Sequence, residues 1–332
     1  MAPAARIIPR QMPSYPHRRA AAQVLVLCCV FWAFSFPFTK ALHSLGNESV
    51  PGVSSVFLSA WAVVIRFGIG ALVLCVMTAR RLPKLTKLEV QQGVGLGLFG
   101  WLGMFFQLDG LAYTKASTSA FFTQAYCVLI PVWFAAKQRK WPPVPVFFAC
   151  GLAVAGAAVL ADFSPRNLRL GRGEWETLAA SVFFTGQILW LDNPRYAAND
   201  AGRFSLVMFL SMVGVCLPVA WIFAGQPSDF LRVYSAPASV VLLLLLVVAC
   251  TLLTYLLMNR WQRELPATEA GLLYCSEPVF TSALCLFVPG WLSSLSGIDY
   301  PDETLTGHLL LGGLLILLAN VLIQLWGTEP AP

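Results

Sequence analysis

The chain of 332 residues is 58% hydrophobic and only 11% charged, and its mean hydropathy is +0.70. A soluble protein is about 45–50% apolar and about 25% charged, so the composition excludes a single water-facing domain. The formal net charge of +6 does not indicate nucleic-acid binding, because the basic residues lie in short loops between apolar segments. Burial in a membrane is the interpretation that fits these values.

Ten apolar segments follow one another along the chain, each close to the length of about 20 residues that a membrane-spanning helix needs. They lie at 22–42, 55–79, 92–112, 117–136, 144–161, 174–192, 203–224, 238–258, 268–290 and 306–326. Arg18 and Arg19 precede the first segment, as in a signal peptide, but no small-residue cleavage site follows it. We therefore predict an all-α integral membrane protein with about ten transmembrane helices.

The positions of the basic residues predict the orientation of these spans. With the N-terminus inside, 15 of the 22 Lys and Arg residues fall in cytoplasmic segments, six fall outside, and Arg66 lies within a span. The positive-inside rule therefore places both termini in the cytoplasm. The basic, proline-containing segment 1–21 is predicted to be a cytoplasmic tail near lipid headgroups.

The fourth and ninth spans have similar sequences, FFTQAYCVLIPVWF and GLLYCSEPVFTSAL. In each, a Tyr-Cys pair, starting at Tyr126 or Tyr274, shortly precedes a Pro-Val pair, starting at Pro131 or Pro278. The two prolines lie close to half a chain length apart, and each half holds five spans. Because five is odd, the second half must enter the membrane from the opposite side.

This pattern predicts two inverted five-helix repeats, at 22–162 and 163–332. Secondary transporters are commonly built in this way, with the binding site near the midplane between the halves. Pro131 and Pro278 are predicted to be kinks that take part in gating. The alternative is a plain helix kink, which a membrane helix tolerates because neighbouring groups satisfy the freed carbonyl.

Several stretches, taken in order, are similar to a known family of transporters. They are FWAFSFPFTK, VVIRFGIGALVL, FQLDGLAYTKAS, LIPVW, GLAVAGAAVL, NRWQRELPATEAGLLYCSEPVF and LGGLLILLANVL. On these motifs the chain resembles the EamA-type transporters of the drug/metabolite transporter superfamily across nearly its whole length.

The resemblance implies ten helices in two inverted five-helix EamA-like repeats, with cytoplasmic termini and a central cavity lined by both halves. It also implies carrier-type export of amino acids or related metabolites. We accordingly expect a multi-pass plasma membrane protein of the bacterial inner membrane, whose partners are a small-molecule substrate and the lipid bilayer.

Two ionisable residues lie deep in predicted spans, where a charge costs roughly 2.5–3.5 kcal/mol on insertion scales. Arg66 is central in span two, and Glu277 is central in span nine, on one helical face with Tyr274 and Thr281. This face predicts contact with a substrate ammonium group, or proton coupling, and the alternative is a structural pair between Glu277 and Arg66. Arg66 is itself a candidate substrate-binding residue or, alternatively, a structural one.

Further candidates for substrate binding are polar and aromatic residues on other spans. In chain order they are Trp32, Ser35, Thr39, Gln107, Gln124, Tyr126, Gln187, Trp190, Thr251, Tyr255 and Asn259. Each alone could instead make a hydrogen bond between helices. As a set they predict a mostly apolar cavity with a few polar groups, which suits a small amphipathic solute.

No cofactor and no metal is predicted. The nine cysteines lie in apolar segments, with no CxxC and no Cys/His spacing suited to zinc, and are predicted to be small packing residues. Gly95, Gly97 and Gly100 spell GxGxxG, but they sit within a span and follow no strand, so dinucleotide binding is excluded. Together with Gly93 and Gly103 they predict a seam of small residues for close helix packing.

A membrane-embedded enzyme is a remote alternative function. It would need a nucleophile with a base, or metal ligands, and neither HExxH nor GxSxG occurs. The three histidines, His17, His43 and His308, lie in the tail or near external span ends. No catalytic residue is therefore predicted.

Within transport, the alternative is a nucleotide-sugar or phosphorylated-sugar antiporter of the same superfamily. A phosphate group requires several Lys or Arg residues at the cavity, and only Arg66 lies deep in a span, so the sequence favours a zwitterionic or weakly charged solute. No ATP-binding motif is present, and proton coupling and uniport both stay open. The sequence carries no indication of the oligomeric state.

Overall fold

The structure, a computed structural model, describes residues 15–160 and 170–326. Both described ranges are helical, and neither contains a strand. Residues 1–14 of the predicted tail at 1–21 lie outside the described ranges. The first helix begins at Tyr15, within that predicted tail. The predicted boundary between the repeats, at 162 and 163, also lies outside the described residues.

The first described range contains six α-helices. They are α1 (Tyr15–Ser49), α2 (Ser55–Thr78), α3 (Lys87–Tyr113), α4 (Ala116–Thr123), α5 (Tyr126–Gln138) and α6 (Val144–Leu160). The second described range contains nine: α7 (Arg172–Leu191), α8 (Ala201–Phe223), α9 (Asp229–Arg232), α10 (Pro237–Val247), α11 (Thr254–Trp261), α12 (Ala267–Tyr274), α13 (Glu277–Leu284), α14 (Val288–Ser296) and α15 (Gly307–Trp326). A π-helical segment, Val248–Leu253, joins α10 to α11.

Each of the ten predicted spans coincides with one helix or with consecutive short helices. The fourth is divided into α4 and α5, and in the ninth the axis bends by 54° between Ala267–Leu284 and Val288–Ser296. Within the described residues, six helical stretches are long and apolar enough to cross a membrane, or up to seven if the bent pair is one span. The predicted all-helical class is confirmed, and the ten-span, two-repeat layout stays a prediction.

Side chains on the outside of the bundle are apolar, which is the reverse of a soluble protein. On α2, Leu72 is 70% exposed and Val76 is 79% exposed, whereas Arg66 on the same helix is fully buried. On α15, Leu310 and Leu314 are more than half exposed. Such surfaces are suited to the hydrocarbon of a lipid bilayer.

Helix α3 packs closely against α7 and α8. A Cβ atom at Gly93 would lie 2.6 Å from the carbonyl oxygen of Phe204, and one at Gly97 would lie 2.6 Å from the Cβ of Ser211. These distances leave no room for a side chain, so both positions require glycine. The predicted seam of small residues therefore joins a helix of the first described range to a helix of the second.

Ion pairs close one end of the bundle. We term the end at which α1 begins the near end, and the end at which α1 terminates the far end. At the near end, Thr86 and Glu89 form the capping box that starts α3, and Arg203 of α8 donates to the Glu89 carboxylate at 2.6 Å. Arg18 of α1 pairs with Glu269 of α12, also at 2.6 Å. Helices of both described ranges are thus held together there.

Candidate substrate site

A cavity lies between helices of both described ranges and has a volume of about 60 Å³. Most of the side chains around it are aromatic or aliphatic, and a few are polar. The lining residues are Trp32, Ser35, Phe36, Met104, Gln107, Thr123, Tyr126, Phe184, Gln187, Ile188, Tyr255, Met258, Tyr274 and Glu277. This composition is typical of a site for a small organic solute.

Eight of the fifteen candidate residues line this cavity, namely Trp32, Ser35, Gln107, Tyr126, Gln187, Tyr255, Tyr274 and Glu277. The other seven lie outside the lining, and they are Thr39, Arg66, Gln124, Trp190, Thr251, Asn259 and Thr281. The Thr281 hydroxyl donates to the Glu277 carbonyl at 3.0 Å, and the indole of Trp190 donates to the Gln92 carbonyl at 3.2 Å. A role in substrate binding stays a prediction for all fifteen.

Glu277 starts α13 directly after a break in the helix, and it is only 6% exposed. Its Oε2 accepts a 3.1 Å hydrogen bond from Nε2 of Gln124, the residue that follows α4. Among the described residues, no Lys, Arg or His forms an ion pair with this carboxylate. The carboxylate therefore faces the cavity beside one neutral donor.

Arg66 is fully buried, but it lies one side chain away from the cavity. Its Nε donates to Oγ1 of Thr251 at 3.0 Å, and its Nη1 lies 4.0 Å from the sulfur of the cavity residue Met104. Its Nη2 has no hydrogen-bond partner within the described part of the chain. Arg66 and Glu277 thus have separate partners, and the ion pair that the sequence left open is not formed between them.

Aromatic rings from four helices form one wall of the cavity. The ring centroid of Trp32 lies 5.8 Å from that of Tyr255 and 5.6 Å from that of Tyr274, at interplanar angles of 67° and 65°. Tyr126 stands perpendicular to Tyr274 at 6.4 Å. Edge-to-face contacts of this kind are favourable, and the Tyr274 hydroxyl also bonds to Gln262 at 2.9 Å, so the rings hold one another in place.

Breaks in two helices lie beside the cavity. One falls at residues 124–125, between α4 and α5, and the other at 275–276, between α12 and α13. Pro131 lies inside α5, and Pro278 lies in the first turn of α13, so both breaks precede the prolines at which kinks were predicted. The part of the two prolines in gating stays a prediction.

Cysteine thiols lie against the carbonyls that these prolines leave without a helical partner. The carbonyl four residues before Pro131 accepts from Cys150 Sγ at 3.2 Å. The carbonyl four residues before Pro278 lies 3.9 Å from Cys29 Sγ. All nine cysteines are free and eight are buried, in keeping with their predicted role as packing residues.

The far end opens into a vestibule with a volume of about 620 Å³. Two bases, Lys40 and Lys115, and three acids, Asp299, Asp302 and Glu303, are among its lining residues. The vestibule follows the same three helices as the central cavity, α1, α4 and α13. It therefore lies along the same helices as the central cavity, nearer the far end.

A small apolar cluster separates the two cavities. It consists of Phe36, Leu111, Ala116, Ala120 and Cys285. Phe36 also lines the central cavity, and Ala116 also lines the vestibule. The cluster therefore lies between the central cavity and the vestibule. Ion pairs between helices occur at both ends of the bundle, because Arg172 of α7 pairs with Asp109 of α3 at the far end.

Sequence reasoning missed the apolar part of the lining, namely Phe36, Met104, Phe184, Ile188 and Met258, and also the polar residue Thr123. In a span that is apolar all round, nothing in the sequence distinguishes a side chain that faces a cavity from one that faces lipid. Phe36 did carry a signal, because it lies one helical turn after Trp32. Within the described residues, no group of three or more His, Cys, Asp or Glu is placed to hold a metal ion.

Comparisons with known proteins agree with this architecture. Residues 19–161 match the EamA-like transporter family. Over 308 residues the chain is 25% identical to an uncharacterized transporter of Archaeoglobus fulgidus, covering 91% of this chain and 84% of that protein. A solved crystal structure is similar in fold, with a TM-score of 0.62 and 16% identity, over 92% of this chain and 97% of the other.

The apolar helices, the family match and the transporter relative together define a multi-pass membrane transporter. The predicted resemblance to EamA-type transporters of the drug/metabolite transporter superfamily is thereby confirmed.

Proposed function

We propose that this protein is a secondary carrier that exports small metabolites, amino acids or related zwitterionic compounds, across the plasma membrane. The observation that carries the proposal is the central cavity, which places the buried carboxylate of Glu277 among aromatic side chains from both halves of the chain. A solute held there would be in contact with both halves at once. That is the position which alternating access requires of a binding site.

The helix contacts support the proposed layout of ten spans in two inverted repeats. In such a layout, spans one to five correspond to spans six to ten, so every contact should recur with the halves exchanged. Span four packs on span six (α4 on α7), and span nine packs on span one (α13 on α1). Span three packs on span six (α3 on α7), and span eight packs on span one (α10 and α11 on α1).

The two ends of the bundle support alternating access. The near end, which the positive-inside rule assigns to the cytoplasm, is closed by the pairs Arg18–Glu269 and Arg203–Glu89. The far end has the vestibule, the apolar cluster at Phe36 and the pair Arg172–Asp109 between α7 and α3. In the proposed cycle, the contacts at the two ends would open in alternation.

The cavity also bears on the alternatives. No Lys, Arg or His is among its lining residues in the described part of the chain, so a phosphorylated sugar would find no cationic partner there. A transporter of this class is not an enzyme, and the lining holds no pair of a nucleophile and a base within hydrogen-bond reach. The carboxylate of Glu277 would instead receive the substrate or a proton. Proton-coupled transport and uniport therefore both stay open.

Export from cells tests this proposal. Cells that express the protein are loaded with metabolites, and the medium is scored by mass spectrometry against cells with an empty vector. We expect one amino acid or related compound to appear selectively, and Glu277→Gln to abolish its appearance. The exposed residue Glu48 provides the matched control, because Glu48→Gln removes the same charge outside the cavity. Export that Glu277→Gln leaves unchanged would contradict the proposed site.

A further inference from the structure

The vestibule at the far end is lined by charges of both signs, which belong to different halves of the chain. Its bases are Lys40 of α1 and Lys115, which precedes α4, and its acids, Asp299, Asp302 and Glu303, follow α14. Among the described residues, these five groups form no ion pair. Unpaired bases and acids thus share one water-filled space.

A buried hydroxyl on the wall of the vestibule lacks a partner. Ser282 of α13 is among the lining residues but is only 1% exposed, and its Oγ has no hydrogen-bond partner within the described part of the chain. The hydroxyl of Tyr300, another lining residue, is buried and unpaired in the same way. Leaving buried polar groups unpaired is costly, so a polar solute in the vestibule would supply what both hydroxyls lack.

The segment that carries the acids is held in place by hydrogen bonds. The Ser293 hydroxyl donates to the carbonyl of Tyr300 at 2.7 Å and accepts from the N–H of the same residue at 3.0 Å. Asp302 accepts from the N–H of Gly290 at 2.7 Å, and the N–H of Glu303 donates at 2.8 Å to a carbonyl at the C-terminal end of α13. A wall that is ordered in advance loses little conformational entropy when a solute binds.

The vestibule also has the size of a binding site. Its volume of about 620 Å³ lies within the range of about 300–1,000 Å³ that is usual for small-molecule sites. The central cavity, with about 60 Å³, is much smaller. A whole small solute can therefore be held in the vestibule while the central cavity stays as it is.

The charges of the vestibule are suited to a solute that carries both signs itself. An ammonium group has three donors, so Lys40, which donates to the Thr114 carbonyl, keeps donors for a solute carboxylate, and Lys115 lies beside it. On the other half of the chain, Asp299 and Glu303 can accept from a solute ammonium group. An anion or a cation alone would satisfy one wall and be repelled by the other.

We propose that the vestibule is a second binding site, separate from the central cavity, and that its ligand is a small zwitterion. The carboxylate of the ligand lies towards Lys40 and Lys115, and its ammonium group lies towards Asp299 and Glu303. A zwitterion bound in this way bridges the two halves of the chain at the far end. The inference goes beyond the proposed function, because binding in the vestibule does not depend on passage through the central cavity.

Four small probes test the inference. Alanine and 4-aminobutyrate are zwitterions whose charged groups are separated by one and three carbon atoms, whereas butylamine and butyrate each carry one charge. Their binding to the purified full chain in lipid nanodiscs is measured by saturation-transfer NMR titration, with empty nanodiscs as the blank. We expect at least one zwitterion to bind at least about tenfold more tightly than both singly charged probes.

Variants of the lining locate the bound zwitterion. Lys115→Gln and Glu303→Gln should each weaken its binding by at least about threefold, a modest loss because the vestibule is open to water. Ser282→Ala should weaken it by about threefold as well, through the loss of one neutral hydrogen bond. Glu48→Gln removes a charge from an exposed residue outside the lining, and it should leave the binding unchanged. Glu277→Gln, in the central cavity, should leave it unchanged too.

The outcomes separate this inference from the proposed function. Equal binding of the four probes, no binding of either zwitterion, or binding that all three vestibule variants leave unchanged would overturn the inference. Binding that is weakened by Glu277→Gln and by none of the vestibule variants would place the zwitterion in the central cavity, which contradicts the inference and supports the carrier site. Binding lost in the vestibule variants and kept in Glu277→Gln supports the inference, even if cells export no metabolite.

Discussion

Gln124 and Glu277 are 153 residues apart in the sequence, and a 3.1 Å hydrogen bond joins the amide of one to the carboxylate of the other. Each residue stands at a helix break, Gln124 after α4 and Glu277 at the start of α13. The bond therefore links the broken helices of the two halves directly beside the cavity. A movement of one half of the chain against the other would break this hydrogen bond and form it again.

The first prediction concerns this bond. Gln124→Leu removes the one neutral donor to the Glu277 carboxylate, so we expect the KM for export to rise by about tenfold, in line with the loss of a hydrogen bond to a charged group. Gln124→Asn keeps the amide on a shorter side chain and should have an intermediate effect. The measurement is the concentration dependence of export in proteoliposomes. Unchanged KM in both variants would show that the bond does not position the carboxylate.

The second prediction concerns the stability of the buried Arg66. Thr251→Val removes the hydroxyl that accepts from its Nε, and we expect a loss of about 1.5–3 kcal/mol of unfolding free energy. Thr251→Ser keeps the hydroxyl and serves as the matched control. Thermal unfolding in detergent reports the change. A large rise in KM at unchanged stability would instead place Arg66 in substrate binding.

The third prediction concerns closure at the near end. Glu269→Arg places two cations together where Arg18 and Glu269 now pair at 2.6 Å, so the N-terminal turn of α12 should separate from α1. We expect faster amide hydrogen exchange in that turn and slower export. The double variant, with Arg18→Glu added, restores opposite charges and should recover both properties. If it recovers neither, the pair does not hold the near end closed.

The fourth prediction concerns the two prolines. Pro131→Ala and Pro278→Ala restore a backbone N–H that competes with the cysteine thiols for the freed carbonyls, and this should stiffen the broken helices. We expect slower export turnover with little change in KM. Pro218→Ala, in α8 and outside the cavity lining, is the control for replacing a proline within a span. Equal turnover in all three variants would leave Pro131 and Pro278 as packing features.

Much of the fold could be predicted from the sequence, because span length and hydropathy are local properties. The helix breaks could be predicted only in part. Pro278 lies in the first turn of α13, where proline is favoured, so the break at 275–276 has a local signal. The break at 124–125 lies six residues ahead of Pro131, and no local pattern marks it.

The site was predicted where a polar or aromatic residue interrupts an apolar span. Trp32, Tyr274 and Glu277 stand out in this way, and all three line the cavity. The same reasoning could not decide whether Arg66 binds substrate or has a structural role. A position deep in a span does not show which neighbouring side chain a residue contacts. Its partner Thr251 belongs to the π-helical segment, whose altered helical register changes which face points inward.

The central claim is that solute crosses the membrane through the cavity at Glu277. Solute counterflow in proteoliposomes tests this claim most directly. Purified protein is reconstituted, the vesicles are preloaded with the metabolite found in the export experiment, and uptake of the labelled compound is followed over time. The account predicts transient accumulation with the native chain and with Glu48→Gln, and none above protein-free vesicles with Glu277→Gln. Native-level counterflow by a folded Glu277→Gln variant would contradict it.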